Sequence, residues 1–140
     1  MSDEEEIVHL VREHFEVMRW GEDTEPDWDR FRDDFLSSAL LCGAARPAQT
    51  RSLENFIDRM ESVARKNLRS FEEHTRGMKL LRFGNIAVVL AMSELLEDGK
   101  EINHDISGYL LVKSEGRWSI MAHAWDQADE DNPVPDDLRS

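Results

Sequence analysis

The sequence predicts an α+β domain in which helices come first and an antiparallel sheet follows. Two observations carry this. Apolar residues in the first half recur at helical spacing, whereas the second half changes to extended runs. Those runs are separated by Phe83-Gly84-Asn85, Asp98-Gly99 and Ser114-Glu115-Gly116, turn signals spaced roughly fifteen residues apart as hairpins require. A run of helices followed by a run of hairpins segregates the two kinds of structure.

The first element spans Asp3 to Arg19, with Ile7, Leu10, Val11, His14 and Met18 on one stripe and Gly21 as a stop. Pro26 suits the first turn of a short second helix that places Trp28, Phe31 and Phe35 on one face. Ala39 to Ala45 is short, apolar and bounded by Ser37-Ser38 and Pro47, which predicts a lone strand. Ser52 caps a third helix, whose Leu53, Phe56, Ile57, Met60, Ala64 and Leu68 repeat at three and four. Four strands then follow at 74–83, 86–97, 101–114 and 117–126. The second of them is apolar at both parities: Ile86, Val88, Leu90 and Met92 on one side, Ala87, Val89, Ala91 and Leu95 on the other. A strand buried on both faces needs a cover beyond the helices, and a second copy of the chain is the expected one, giving a homodimer through the outer sheet face.

Composition narrows the function classes. The 140 residues suit one domain, expected at 1–127, followed by an acidic, Pro-containing tail at 128–140. Thirty acidic residues against seventeen basic ones give a formal charge of −13, which repels phosphate backbones and anionic lipid, so neither nucleic acid nor membrane is an expected partner. The acidic ends, Asp3 to Glu6 and the tail, read as solvated. Cys42 is the single cysteine, which excludes an intrachain disulfide and any Cys-based zinc motif. With no signal-like N-terminus and no apolar run of membrane length, the expected compartment is the cytoplasm.

The order helix, helix, strand, helix, four strands has further carriers. They are Phe15-Glu16-Val17-Met18-Arg19-Trp20-Gly21-Glu22-Asp23, Phe35-Leu36-Ser37-Ser38-Ala39-Leu40-Leu41, Asn85-Ile86-Ala87-Val88-Val89 and Gly116-Arg117-Trp118-Ser119-Ile120. In that order they resemble the nuclear transport factor-like superfamily, the cystatin-like cones, with its SnoaL-like and ketosteroid isomerase-like domains. The resemblance implies three N-terminal helices packed on a strongly curved, mostly antiparallel sheet, a ligand pocket between them, and pairing through the sheets. Ketosteroid isomerase-like enzymes place a phenol on the first helix, a carboxylate base after the first strand and a protonated acid on the sheet. Here those positions fall on His14, Gly43 and near Gly108. Two of the three groups are missing, so that activity is not expected; a short gap in the matching would bring Asp105 toward the acid position.

The family's facing implies that Met121, His123 and Trp125 point into the cone, with Trp118, Ile120, Ala122 and Ala124 on the opposite parity unless a bulge intervenes. His104 shares a parity with Ile106, Gly108, Leu110 and Val112. With His14 and Met18 from the first helix, the candidate pocket is His14, Met18, His104, Met121, His123 and Trp125. Its three imidazoles are the candidate acid-base groups, since imidazole titrates near neutrality. Each has an ordinary alternative: a satisfied core histidine for His14, an exposed strand residue for His104, and for His123 a role that depends on the facing. No spacing among them is specific to a metal, and no cofactor is expected. The expected function is binding of a small hydrophobic molecule in the cone. The alternatives are a lyase or isomerase that uses the pocket histidines, and a non-catalytic adaptor.

Overall fold

The computed structural model describes residues 1–45 and 47–139. Helix α1 (Asp3–His14) starts at a reciprocal capping box in which the Ser2 hydroxyl accepts from the Glu5 amide and the Glu5 carboxylate accepts from the Ser2 amide. Its acidic first turn suits the helix dipole but is not merely solvated. Asp3 accepts from Trp118 Nε1 at 3.0 Å and Lys113 Nζ at 2.8 Å, and Glu4 accepts from Arg82 Nε at 2.9 Å, so this end is tied to the sheet.

Helix α1 ends at His14 rather than continuing to Arg19, because the chain turns at Phe15 and runs out to pair Trp20 with Phe71. The Trp20 indole donates to the Leu68 carbonyl at 3.0 Å, which fixes this turn against the end of the third helix. Helix α2 (Trp28–Asp33) is capped by the Asp27 side chain. Phe35, expected on its face, instead opens strand β1 (Phe35–Gly43) but is still buried. A four-residue strand β2 (Gln49–Ser52), not anticipated, pairs with β1. Ser52 then caps α3 (Leu53–Arg59), which runs through a π turn (Met60–Ala64) into α4 (Arg65–Asn67), so the expected third helix is real but interrupted.

The meander follows closely: β3 (Phe71–Phe83), β4 (Ile86–Glu97), β5 (Glu101–Ser114) and β6 (Arg117–Gln127). Gly84, Gly99 and Gly116 take the positive φ that their tight turns demand. The six strands form one sheet in the order β2-β1-β6-β5-β4-β3, antiparallel except where β1 lies parallel to β6. The architecture is therefore the α+β cone that the sequence predicts, with one added edge strand.

The inner rows of the sheet alternate cleanly. Ala87, Val89, Ala91 and Ser93 of β4 face the helices, opposite Leu111, Tyr109, Ser107 and Asp105 of β5. Ile7, Val11 and Phe31 close the core from the helical side with no exposed surface. On the outer face, Ile86, Val88 and Leu90 are 53%, 52% and 42% exposed, and the adjoining Leu81 and Phe83 are 75% and 80% exposed.

The tail also departs from its expected solvation. A 3-10 turn (Asp136–Leu138) lies on the outer face beside β3, Leu138 is fully buried, and Asp137 pairs with Lys79. A Cβ at Gly77 would collide with the Leu138 carbonyl, so the glycine is what allows the tail backbone to seat there.

Candidate ligand pocket

The pocket is built by a local irregularity in the sheet. Strands β5 and β6 pair as Leu110↔Ala122 and then Leu111↔Ile120, so Met121 has no partner and forms a bulge. Before the bulge, Trp118 and Ile120 face inward; after it, His123 and Trp125 do. Met121, 45% exposed, faces out, and so corrects one expected pocket residue. The expected outward facing of Trp118 and Ile120 fails for the same reason. On β5 the facing is also reversed: Asp105, Ser107, Tyr109 and Leu111 line the interior, while His104 pairs with Glu94 on the opposite face. His104 is therefore not a pocket residue, and the three imidazoles do not converge.

Four of the expected residues remain inside the cone, in two groups. Met18, His123 and Trp125 line a cavity of about 170 Å³. Its apolar wall is completed by Phe15, Phe56, Met60, Phe71 and Leu95, and its polar lining by Glu73, Asp105 and Ser107. Met60, the first residue of the π turn, reaches this wall, in keeping with the placement of such turns near functional sites. Leu95, Asp105 and Trp125 also belong to an outer recess of about 270 Å³ rimmed by Glu97, Asn103, Asp126 and Gln127. Asp105 thus stands where the inner cavity meets the recess.

His14 lies behind the cavity rather than on it. It is fully buried and surrounded by the rings of Phe15, Phe31 and Phe35. Its Nδ1 lies 3.0 Å from Asp34 Oδ2, and Asp34 Oδ1 accepts from Arg30 at 2.7 Å. Burial holds the His14 pKa below its ordinary value against the pull of Asp34. Burial pushes the Asp34 carboxyl up, but its hydrogen bonds to His14 and Arg30 outweigh this and hold it low. The neutral imidazole therefore donates its Nδ1 proton to a carboxylate.

The polar lining is electrostatically unusual. Glu73 is buried, and burial followed by repulsion from Asp105 holds its pKa well above the carboxylate range, with the Ser93 hydroxyl opposing. Asp105 is raised to about 6, by burial first and then by Glu97 and Asp126. His123 is depressed well below its ordinary value by burial and by His14, and its Nε2 lies 3.0 Å from Ser107 Oγ. The cavity thus combines an acid, Glu73, biased toward its protonated form, a carboxyl at its neck that titrates at about 6, and an imidazole biased toward neutrality.

Asp105 was raised only as a residue that a short gap would bring toward the acid position; Glu73 and Ser107 of the cavity, and Tyr109 beside His123, were missed. Glu73 lies just before the point where the strand was expected to begin. Asp105-x-Ser107-x-Tyr109 is a polar alternation on an otherwise apolar strand, and it was the available signal.

No protein-family model matches the chain, and no curated protein does. Solved structures do. A protein of unknown function with a cystatin-like fold from Nostoc punctiforme superposes with a TM-score of 0.70 at 12% identity, covering 91% of this chain and 92% of its own. An NTF2-like protein with a cystatin-like fold from Novosphingobium aromaticivorans gives 0.75 at 10% identity, covering 91% and 83%. A candidate scytalone dehydratase from the same organism gives 0.68 at 9% identity, covering 98% and 91%. At these identities the likeness is one of fold, and the fold is the cystatin-like cone.

Proposed function

We propose that the protein binds a small, largely apolar molecule of single-ring size that presents one carbonyl or hydroxyl group to Glu73. The observation that carries this is a fully buried carboxyl group, Glu73, in a largely apolar cavity, where burial favours its protonated form. A carboxyl group in its protonated form is a hydrogen-bond donor, and Glu73, which already meets the Ser93 hydroxyl, has capacity for a further partner from the cavity. The size follows from the volume, since a cavity of about 150 Å³ accommodates benzene.

The test is a thermal-shift screen with monocyclic ketones and phenols, with mass spectrometry of whatever copurifies. A binder at a hundred times its Kd stabilises the native state by about 2.7 kcal/mol. E73Q, which keeps a donor, should retain the shift and E73L should lose it. An E73L protein that binds equally well, or a panel with no binder and nothing copurifying, overturns the reading.

Acid-base catalysis is the second reading, and the Asp105 pKa of about 6 favours it. A base poised near neutrality beside an acid whose pKa burial raises is the pairing that isomerisation or dehydration of a carbonyl compound uses. The similarity in fold to a candidate scytalone dehydratase is compatible with such chemistry. Of the histidines, only His123 has a direct place in it. A homodimer over the exposed Ile86, Val88 and Leu90 row belongs to the same proposal, because that row with the adjoining Leu81 and Phe83 is an apolar patch on which two strongly acidic chains can approach. A monomer by light scattering at micromolar concentration would count against it.

A further inference from the structure

Three buried polar atoms in the cone lack a hydrogen-bond partner among the described residues: His14 Nε2, His123 Nδ1 and the Tyr109 hydroxyl. They belong to one cluster. Tyr109 stacks on His123 with ring centroids 4.5 Å apart, and the His14 ring stands edge-on to both at 6.3 Å. Leaving such atoms unpaired in a protein interior costs stability. Three orphans together point to one shared partner rather than three separate defects.

We infer that a single ordered water bridges His14 Nε2 and His123 Nδ1, with the Tyr109 hydroxyl as its third contact, and that this water joins the Asp34–His14 pair to the ligand cavity. The geometry suits water specifically. The two imidazoles are not hydrogen-bonded directly, and two hydrogen bonds of about 2.9 Å through one oxygen span the kind of gap that rings at this separation leave. Buried waters typically make about three hydrogen bonds to such groups.

The bridge completes a path. Arg30 and Asp34 border a surface groove beside Trp118, and Asp34 fixes His14 with its proton on Nδ1 and its Nε2 lone pair free. On the other side, His123 Nε2 meets Ser107 Oγ, which lines the cavity. A proton entering from the cavity passes to the Ser107 oxygen as Ser107 gives its own to His123 Nε2. His123 releases its Nδ1 proton to the water, and the water gives one of its own to His14 Nε2. One proton has moved, no heavy-atom bond has changed, and the new imidazolium lies against the Asp34 carboxylate. The charged or titratable groups facing this path are Arg30, Asp34, Tyr109, Glu73 and Asp105. His14 is thus a positioning residue that acts through His123.

The inference deepens the acid-base reading but is tested without any ligand, so failure of ligand binding leaves it standing and its own failure leaves ligand binding untouched. Ring-nitrogen spectra of the whole protein should show His14 as the Nδ1–H tautomer, and a long-lived water should give cross-relaxation to both His14 and His123. D34N should alter the tautomer balance of His14 and also shift the His123 nitrogens, through the reoriented water, a response that mere packing would not give. H14F should abolish the water signal at His123. If either variant fails to fold, the wild-type water signal decides. Its absence, or His123 nitrogens that do not respond to D34N, overturns the inference.

Discussion

The two faces of this sheet depart from the usual division of labour. The inner face, closed over by helices, carries Glu73, Asp105, Ser107 and His123, while the outer face exposes Leu81, Phe83, Ile86, Val88 and Leu90. Ordinarily the ionisable groups of an antiparallel sheet face water and its aliphatic groups face the core. Burying carboxyls and imidazoles costs stability, and the apolar outer row forgoes burial within the monomer. Both departures fall where the proposed ligand binding inside and the proposed association outside would need them. The contrast lies within single strands: on β4, Val89 is fully buried and its neighbour Val88 half exposed.

The largest expected effect breaks this contrast most directly. Leu111→Ala removes a fully buried side chain and should cost about 2–5 kcal/mol in denaturant unfolding. Val88→Ala on the outer face should cost no more than about 0.5 kcal/mol at concentrations where the chain is monomeric. Equal costs would mean that the outer face is covered within one chain.

Next comes the place where the tail meets the outer face. Gly77→Ala drives a methyl group into the Leu138 carbonyl, and overpacking of this kind costs about 1–3 kcal/mol. Because the collision is with a terminal turn, the expected response is release of residues 128–139 rather than global unfolding. Limited proteolysis should therefore clip the tail in the variant and spare it in the parent. Equal protection would show that the tail does not seat on Gly77.

The pH dependence separates the two kinds of buried group on the inner face. Asp105 rises from 3.8 to about 6 on folding, so the native state binds more protons in that window and stability falls as pH rises through it. D105N should then be more stable than the parent above pH 6, by about 1–2 kcal/mol once solvent screening is allowed for, and the gap should close below 3.8. His14 and His123 run the other way. Their folded pKa values are depressed, so the stability that goes with their neutral forms is present above the unfolded value of about 6.5 and is lost as pH falls below it. His123→Phe should blunt the acid loss without touching the Asp105 window. Because the two effects oppose each other between pH 4 and 6.5, the variants separate them: D105N and His123→Phe profiles that both keep the parent's shape would contradict both assignments.

The meander was legible because its turns need residues of a special kind, and Gly84, Gly99 and Gly116 announce them. The α+β class followed from the switch between helical spacing and extended runs, and the doubly apolar β4 from apolar residues at both parities. The end of α1 was not legible, since Val17 and Met18 continue the helical pattern while Trp20 is drawn off to pair with Phe71, a contact with no local trace. The seated tail was hidden in the same way, because Leu138 lies in an acidic, Pro-containing stretch and its socket is far away at Gly77. The pocket was half legible. His14, Met18, His123 and Trp125 were placed in the interior, but one bulged residue reversed the assignment of Met121, and His104 was carried to the wrong face by reading the even rather than the odd positions of β5.

That bulged residue gives the smallest expected effect and the sharpest test of the two faces. Were Met121 inside the cone with His123, truncating it would open a cavity costing about 2–5 kcal/mol. With the bulge in place it is 45% exposed on the outer face, and Met121→Ala should change the stability of the monomer by less than about 0.5 kcal/mol. The small value is informative because of where it falls: a near-zero cost at 121 beside a large one at Ile120, which is fully buried, can arise only if the alternation breaks between them. If a second copy covers this face, the cost of Met121→Ala should grow with protein concentration, while that of Leu111→Ala should keep its full monomeric size at every concentration. The same pair of variants thus locates the bulge and tells burial within one chain from burial between two.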